Sequence, residues 1–471
     1  MNPRVRFAPS PTGEPHLGFA RTALYNYLFA RNKGGDFLLR IEDTDLERSK
    51  KEHIDQITNS MEWLGLKWDE EIVFQSGRKN NYEKYSRFLL DSGKAYRCFA
   101  SKKQLGKIRE ETGSYHYNGM WRNRSNKEIN QELEKGTPFT IRLKTPNSGV
   151  VNFKDMIYGD IIVSNTEIDD FIIVRSDGSH VYNFTNVIDD QYMRINYVIR
   201  GEDHISNTPK QIQIYKAMEW DIPTFAHLPM ILGGDKKRLS KRHGAKSVLS
   251  YREEGIQSEA LLNYLALLGW NPGTSEEIMD LSRLVKKFNL NRVQKKSAIF
   301  DQQKLNWISS QHLGMQKDNE ILKSIRVFNP DWGLDQSDDY CIKVINVMVP
   351  RSKSIRDLIE KSDYCFHAPK IFSDDHIRKI WGKSTQSIIE ELIEIFIKES
   401  DWEKDTIEKI VKNYIERTEC SFAQVMKPMR LALCGSLGGP SLFIFMELLG
   451  KNHSIDRLKS AIKNIKLNEK E

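Results

Sequence analysis

The chain has 471 residues, of which 39% are hydrophobic and 29% are charged, as expected for a soluble globular protein of about three domains. No uninterrupted apolar run approaches the roughly 20 residues of a membrane-spanning helix, and the N-terminus lacks the apolar segment of a secretion signal. The five cysteines form no CxxC pair, which argues against a disulfide framework and a simple zinc site and favours a reducing compartment. The net charge of +7 is compatible with a polyanionic partner but does not require one.

The first predicted elements are a short strand, a loop rich in proline and glycine, and an amphipathic helix. Val5–Ala8 has the apolar character of a buried strand, and apolar residues recur at helical spacing from Phe19 onward. The loop between them directs backbone N–H groups and the positive end of the helix dipole to the sheet edge, where both favour an anion. The alternative is an ordinary strand–helix loop with a solvent-facing His16, and this stretch alone does not decide between the two.

Patterns along the chain predict an α/β protein followed by an all-α region. Residues 1–95 alternate strand and helix patterns, as in a parallel sheet. Residues 96–185 alternate apolar and polar residues between turn signals, which indicates a small mixed insertion. Residues 186–245 return to strand–loop–helix, so we expect a Rossmann-like doubly wound sheet interrupted by an inserted α+β domain. Helical patterns then dominate a connecting segment, 246–310, and a C-terminal helical region, 311–471.

A second loop, GGDKKRLSKRHG at residues 233–244, packs five cations into seven positions. Such a charge run is usually a solvated loop. The glycines on both sides favour instead a mobile segment whose cations close over a phosphate as negative charge builds up.

Several segments resemble one enzyme family. PHLG in the first loop resembles the HIGH element of class I aminoacyl-tRNA synthetases, and RLSKR resembles their KMSKS loop. With LLRIEDTD and VIRGEDHISNTPKQIQIY, the flanking segments resemble the bacterial glutamyl-tRNA synthetases, and the resemblance continues through EALLNYLALLGW, IFDQQKLNWI and MELLGKNHSIDRL. It implies that ATP and glutamate form glutamyl-adenylate, and that the glutamyl group then passes to the 3′-terminal adenosine of tRNA(Glu).

The resemblance assigns the nucleotide phosphates to the two loops. It implies that His16 and Lys241 are the catalytic residues, which would stabilise charge at the α-phosphate and on the leaving pyrophosphate. Arg238 and Arg242 stand where KMSKS has its first lysine and its last serine, so the cationic character is kept. Mg²⁺ is expected with the nucleotide. The full set implied for ATP is Pro9, His16, Gly18, Arg238, Ser240, Lys241 and Arg242.

Selection of glutamate requires recognition of two carboxylates and one ammonium group. Arg6 and Arg200, at the ends of two predicted strands, match the family's substrate arginines, and the planar guanidinium fork suits a carboxylate. Without the resemblance, salt bridges to the acidic residues of EDTD or GEDH would be the simpler explanation of both arginines. The set implied for glutamate is Arg6, Ala8, Ser10, Glu42, Tyr182, Asn186 and Arg200.

Many bacterial members of this family carry a zinc site in the insertion, built from a CxC pair and a later YxC element. Cys98 is kept here, but Ala100 and Trp121 stand at the other cysteine positions. Even with His116 as a second candidate, two ligands are too few for a four-coordinate site. We therefore expect no structural zinc. Aromatic packing is expected in its place, by Tyr115, Tyr117 and Trp121.

The resemblance assigns the insertion at 96–185 to the acceptor end of the tRNA and residues 311–471 to its anticodon. Since residues 311–471 carry 25 Lys+Arg and 25 Asp+Glu, RNA binding there would depend on local patches. Arg351, in VPRSKSIRDL, is the candidate reader of an anticodon base. The alternative is an arginine at a helix start with no role in RNA binding.

The resemblance also implies a cytoplasmic monomer without a membrane partner. It leaves open whether tRNA(Gln) is charged as well, in which case a downstream amidotransferase would have to correct the product. The long helical C-terminus argues against the truncated relative that modifies a tRNA base and against the β-barrel of bacterial glutaminyl-tRNA synthetases. A catalytically silent tRNA-binding paralogue is the alternative from another functional class, and the presence of His16 and Lys241 speaks against it.

Overall fold

A computed structural model describes residues 2–45, 47–113, 116–239, 246–372 and 374–465. The chain divides into two compact units. The first is formed by Met1–Ser250 and Leu261–Gln302, and the second by Tyr251–Ala260 and Gln303–Glu471.

Strands belong to the first unit. In chain order they are β1 (Arg4–Phe7), β2 (Asp36–Ile41), β3 (Val73–Phe74), β4 (Ala95–Cys98), β5 (Thr140–Leu143), β6 (Val150–Asp155), β7 (Gly159–Ser164), β8 (Ile172–Val174), β9 (Tyr197–Gly201), β10 (Thr224–Leu228), β11 (Ile231–Leu232) and β12 (Ala298–Ile299).

Helices accompany these strands and continue to the end of the described chain. Up to residue 287 they are α1 (Leu17–Asn32), α2 (Lys51–Trp63), α3 (Lys79–Asp91), α4 (Lys102–Thr112), α5 (Asn126–Glu134), α6 (Tyr182–Tyr192), α7 (Thr208–Met218), α8 (Val248–Glu253), α9 (Ser258–Leu267) and α10 (Leu281–Lys287). Beyond it they are α11 (Gln302–Met315), α12 (Asp318–Phe328), α13 (Asp338–Met348), α14 (Ile355–Phe366), α15 (Asp374–Ile380), α16 (Lys383–Lys398), α17 (Lys404–Thr418), α18 (Phe422–Cys434), α19 (Leu442–Leu449) and α20 (Lys451–Asn464).

The centre of the first unit is a set of parallel strands whose order reverses at β1. Strand β2 pairs with β1 on one side and β3 on the other, and β10 pairs with β9 and β6. Strand β9 lies beside β1, where the backbone N–H of Asn196 donates to the backbone carbonyl of Arg4 at 3.1 Å. Doubly wound sheets bind ligands at the carboxyl ends of the strands where the order reverses, so β1 and β9 frame the expected position of a site.

The expected insertion at 96–185 contributes to two sheets. Strands β4, β5 and β8 form an antiparallel sheet, whereas the β6–β7 hairpin joins the parallel strands through the pairing of Asp155 with Phe225. The expected boundaries after 185 and 310 fall inside α6 and α11. A change of sequence pattern therefore indicates that a new region begins, but it does not give the residue at which a helix or strand ends.

The second unit is helical, as its apolar spacing predicts. In α16, Ile389, Leu392 and Phe396 are fully buried and lie at one face of the helix, which packs against α18 and α20. The predicted fold class, a Rossmann-like parallel sheet followed by a helical region, is confirmed. None of the helices within the described ranges is long and apolar enough to cross a membrane.

Candidate active site

A cavity of ≈ 390 Å³ opens at the crevice framed by β1 and β9. Ser240, Lys241 and Arg242, which the sequence analysis assigned to ATP, lie outside the described residues. With the exception of Arg351, every other assigned residue contributes to the lining of this cavity. These lining residues are Arg6, Ala8, Pro9, Ser10, His16, Gly18, Glu42, Tyr182, Asn186, Arg200 and Arg238.

Arg6, at the end of β1, is held by a carboxylate that the sequence did not single out. Its Nε donates to Oδ1 of Asp190 at 2.9 Å, and both side chains are buried. Neither EDTD nor GEDH supplies the partner, because Asp190 belongs to VIDD in α6. Since Asp190 occupies Nε, the two terminal nitrogens of Arg6 make no hydrogen bond to any residue that the structure describes. They are available to a carboxylate in the cavity.

Asp190 also binds Arg40 of β2, whose Nη1 lies 2.6 Å from the same carboxylate oxygen. Burial alone would raise the pKa of Asp190, but the two guanidinium groups outweigh it and lower the pKa below its usual value. One ionised carboxylate thus balances only part of the positive charge that Arg6 and Arg40 bring into the interior.

Glu42, after the end of β2, shares the second guanidinium nitrogen of Arg40. Its Oε1 accepts from Arg40 Nη2 at 3.0 Å and from Asn186 Nδ2 at 2.9 Å. Its Oε2 has no hydrogen-bond partner within the described chain. Glu42 is therefore held in place by one oxygen while the other can accept from an ammonium group.

Arg200, near the end of β9, donates a hydrogen bond to a neighbouring side chain from each of its three guanidinium nitrogens. Its Nε donates to His227 Nε2 at 3.2 Å, and its Nη2 donates to Thr208 Oγ1 at 2.8 Å. Its Nη1 reaches the Tyr182 hydroxyl at 3.4 Å. Burial lowers the pKa of Arg200, but an arginine remains charged at neutral pH.

Tyr182 links Arg200 to a second histidine. The Tyr182 oxygen accepts from Arg200, which leaves its hydroxyl proton for Nδ1 of His204 at 3.1 Å. Burial, with a contribution from Arg200, lowers the pKa of His204 to about 4, so the ring is neutral and can accept this bond. The polar wall of the cavity is therefore fixed by its own hydrogen bonds.

His16 caps the N-terminus of α1. Its Nδ1 accepts from the Phe19 amide at 3.3 Å, so the proton of the neutral ring lies on Nε2. The surrounding walls desolvate the ring and lower the pKa of His16, the charge of Arg238 lowers it further, and Asp203 opposes both. A neutral His16 beside the positive end of a helix can donate Nε2–H to a phosphate oxygen.

The two flanks of the second loop lie at the first loop. On the C-terminal side, the Val248 amide donates to the Pro15 carbonyl at 2.8 Å, and Ser247 forms a bridge with His16. On the N-terminal side, Arg238 lines the cavity, with its Nη2 3.9 Å from Asp203 Oδ2. The cavity thus combines guanidinium groups and a carboxylate with a helix N-terminus and further N–H donors.

Comparisons with known proteins agree with this geometry. A family model described as "tRNA synthetases class I (E and Q), catalytic domain" matches residues 3–307, and a model described as "Anticodon binding domain" matches residues 316–462. The chain belongs to the class I tRNA synthetases.

Relatives of this synthetase match it along nearly its whole length. Glutamate–tRNA ligase 1 of Caldanaerobacter subterraneus is 41% identical over 475 residues, covering 99% of both chains. Glutamate–tRNA ligase of Francisella philomiragia is 41% identical over 469 residues, covering 98% of this chain and 99% of the relative. A crystal structure of a glutamate tRNA ligase from Elizabethkingia meningosepticum in complex with its amino acid superposes with a TM-score of 0.90 at 35% identity, covering 99% of this chain and 100% of the other.

In this synthetase the position expected for zinc in other members is packed with aromatic side chains. Cys98 Sγ lies 3.3 Å from the Tyr117 hydroxyl, which accepts from the Trp121 amide at 2.8 Å. Trp121 packs against Phe99 with ring centroids 5.0 Å apart. Tyr115 lies outside the described residues. The lack of a structural zinc stays a prediction, to which direct metal analysis applies.

Arg351 lies in the second unit, in the turn after α13. Its side chain is exposed and borders a groove of ≈ 1650 Å³ whose lining includes Lys361, Tyr364 and Lys370. Lys361 Nζ donates to the Arg351 carbonyl at 2.7 Å, which fixes the turn. The guanidinium therefore stands at the edge of a groove whose lining carries further cations, the acidic Glu360 and Asp363, and an aromatic side chain.

Arg40, Asp190 and His227 are the site residues that sequence analysis missed. Their side chains are buried around the cavity and hold Arg6, Glu42 or Arg200. A signal existed for Arg40, because it is a single charged residue inside the apolar run FLLRI, and a buried arginine needs a partner.

Proposed function

We propose that this chain is a glutamate–tRNA ligase, an ATP-dependent enzyme that activates glutamate and transfers it to the 3′-terminal adenosine of tRNA(Glu). The observation that carries the proposal is a cavity that presents Arg6, Arg200 and Glu42 together. Relatives that match this chain along its whole length are named glutamate–tRNA ligases.

Glutamate has two carboxylates and one ammonium group, and the proposed assignment gives each a partner. The terminal nitrogens of Arg6 and Nη1 of Arg200 bind the carboxylates, since each retains donors that face the cavity. Oε2 of Glu42 accepts from the ammonium group. Tyr182 and Asn186 complete the polar wall, Ser10 shares the ammonium group with Glu42, and Ala8 lines the cavity beside Arg6.

ATP occupies the part of the cavity bordered by the two loops in this proposal. Nε2–H of His16 donates to a phosphate oxygen, Pro9 and Gly18 line the same part of the cavity, and Arg238 adds positive charge at the rim. Lys241, with Ser240 and Arg242 beside it in sequence, supplies the charge that stabilises the departing pyrophosphate.

Mg²⁺ fits this site as an ion that arrives with the nucleotide. Among the described residues no group of three or more His, Cys, Asp and Glu side chains is placed to hold a metal. Mg²⁺ bound through phosphate oxygens and water needs no such group. When bound, it would neutralise phosphate charge, while His16 and Arg238 orient the same phosphates.

The tRNA is proposed to contact three regions. Within residues 96–185 the antiparallel sheet receives the acceptor end, residues 246–310 contact the stem, and residues 311–471 bind the anticodon, with Arg351 as a reader of one base. Residues 1–95 and 186–245 then form the two halves of the catalytic domain. The anticodon-binding model that matches residues 316–462 supports the assignment of the last region.

The experiment is a charging assay with labelled glutamate on separated tRNA isoacceptors. We expect a labelled ester on tRNA(Glu), and the tRNA(Gln) arm decides whether the enzyme also makes a product that an amidotransferase must correct. ATP–pyrophosphate exchange is measured with and without tRNA, because this family generally requires tRNA for activation. A wild-type protein that charges neither tRNA would refute the proposal and would favour the silent tRNA-binding paralogue, which the full-length similarity to ligases does not favour.

A further inference from the structure

Behind Arg200, on the side away from the cavity, lie two buried polar side chains, His227 and Asp155, which form a hydrogen-bonded chain with it. Asp155 Oδ2 is 2.6 Å from His227 Nδ1, and His227 Nε2 is 3.2 Å from Arg200 Nε. His227 Nε2 also lies 3.0 Å from Thr208 Oγ1, whose hydroxyl can donate to it. His227 and Asp155 are 0% and 1% exposed, and neither contributes to the lining of the cavity.

The chemistry of Arg200 fixes the proton position on His227. The guanidinium Nε–H can only donate, so Nε2 of His227 must accept and carries no proton. The ring proton therefore lies on Nδ1 and is donated to Asp155. Burial, together with the positive charge of Arg200, lowers the pKa of His227 despite the opposing effect of Asp155, which is consistent with a neutral ring.

Asp155 is itself fixed by the turn of the β6–β7 hairpin. Its Oδ1 accepts from the amides of Ile157 and Tyr158, both at 2.9 Å. Its Oδ2 also accepts from the backbone amide of His227 at 3.1 Å. The carboxylate therefore cannot turn, and it presents an acceptor to the imidazole.

We propose that His227 is a positioning residue for the substrate guanidinium, and that Asp155 selects the ring tautomer that does it. The inference rests on the proposed glutamate site, because it concerns how Arg200 is aimed at a substrate carboxylate. Arg200 has rotatable bonds along its stem, and the Nε bond to His227 fixes the plane of its fork, so that Nη1 faces the cavity. A histidine and an aspartate that do not touch the substrate thus set the affinity for it.

Asp155→Asn tests the tautomer directly. The two turn amides retain the oxygen of the new amide group, so its NH₂ is turned toward His227, and the backbone N–H of His227 loses the acceptor that Oδ2 provides. Nδ1 must then accept and the ring proton moves to Nε2, where it can donate to Thr208 Oγ1 but can no longer accept from Arg200 Nε. We expect the KM for glutamate to rise about 10- to 100-fold, the scale of a lost hydrogen bond to a charged group, while the KM for ATP stays unchanged.

The ring tautomer is read independently from the ¹⁵N chemical shifts of His227 in labelled protein. We expect a protonated Nδ1 in the wild type and a protonated Nε2 in Asp155→Asn. A second pair of variants keeps the proposal testable if Asp155→Asn does not fold. His227→Gln retains an acceptor for Arg200 and should restore glutamate affinity relative to His227→Leu, which has none.

Asp170→Asn is the matched control. Asp170 is a buried carboxylate in the antiparallel part of the first unit, where it accepts from the hydroxyls of Tyr96 at 2.7 Å and Thr145 at 2.9 Å. This variant should lose stability without a change in the KM for glutamate when that KM is measured at saturating tRNA.

Three outcomes overturn the inference: glutamate binding unchanged in Asp155→Asn, an equal loss of glutamate and ATP binding, or a wild-type His227 protonated on Nε2. These outcomes are distinct from failure of the proposed function. In that case the wild-type enzyme itself would form no glutamyl ester, whereas the ring tautomer would still be measurable.

Discussion

Gly18 has no side chain at a point where His16 folds back over the first turn of α1. A Cβ atom built on Gly18 lies 2.9 Å from Cε1 of His16 and 3.1 Å from its Nδ1. Gly18→Ala therefore forces the imidazole to move, while the backbone can stay because the obstacle is a rotatable ring.

The size of the effect follows from these distances. To regain an ordinary carbon–carbon contact of about 3.5 Å, the ring must retreat by about 0.6 Å, and its 3.3 Å bond to the Phe19 amide is lost. Alanine in the helix gains about 0.5–1 kcal/mol over glycine, and loss of the capping bond costs about the same. Stability should therefore change by less than about 1 kcal/mol, whereas displacement of a phosphate donor should slow adenylate formation about 10- to 100-fold.

The assay is single-turnover adenylate formation with tRNA present, alongside urea unfolding. Gly106→Ala is the matched control, because Gly106 lies in α4 with no heavy atom within 4 Å of an added Cβ, and it should leave the rate unchanged. A Gly18→Ala enzyme that forms adenylate at the wild-type rate would show that the position of His16 does not matter to the chemistry. A large loss of stability would show instead that the clash reaches the backbone.

Arg6→Ala should raise the KM for glutamate sharply and leave ATP binding nearly intact, and an equal loss of both would indicate a structural role. Lys241→Ala should slow adenylate formation about 10²-fold, and an unchanged rate would exclude this lysine from the chemistry. Metal analysis of purified protein should find no zinc, since Cys98 has too few partners for a tetrahedral site, and one zinc per chain would refute this. Burial lowers the pKa of His180 to about 4, so the neutral ring stabilises the fold above about pH 6.5 and up to about 3 kcal/mol is lost as the pH falls toward 4. Urea unfolding at pH 7 and 4.5 should show a smaller pH dependence in His180→Gln, and equal dependence in both proteins would contradict the assignment.

The site residues that the sequence predicts are those placed by local pattern. His16 and Arg6 flank a strand–loop–helix transition, and such a transition puts them at the carboxyl end of a strand wherever the rest of the chain lies. Arg200 is found in the same way after the apolar run YVI. The family resemblance then assigns roles to residues whose position was already suggested by periodicity.

Partners that are distant in sequence could not be predicted in this way. Asp189 and Asp190 are neighbours in α6, yet Asp189 binds Arg78 while Asp190 binds Arg6 and Arg40. Adjacent residues of a helix point about 100° apart, so the direction of each carboxylate depends on how α6 is rotated against the sheet. Nothing in VIDD specifies that rotation.

The β6–β7 hairpin shows the same limit for the fold. Its alternating apolar and polar residues correctly predict strands, and the hairpin pairing follows from the short turn between them. Its attachment to β10 rests on the pairing of Asp155 with Phe225, residues 70 positions apart in the chain. Pairing over such a distance depends on side chains of several elements. The sequence pattern therefore predicted that the hairpin belongs to the insertion, and it did not predict that the hairpin joins the parallel strands.

The hydrogen bond from Val248 to Pro15 holds the C-terminal flank of the second loop at the first loop. Six residues join Leu239, which lines the cavity, to Lys246, and seven peptide links extend to at most about 25 Å. The described flanks of the loop, Leu239 and Val248, are therefore both attached at one crevice. Inserting a few glycines between these flanks would lower the effective concentration of the Lys241 ammonium group at the crevice. The rate of adenylate formation should therefore fall gradually with each added residue instead of being lost at once.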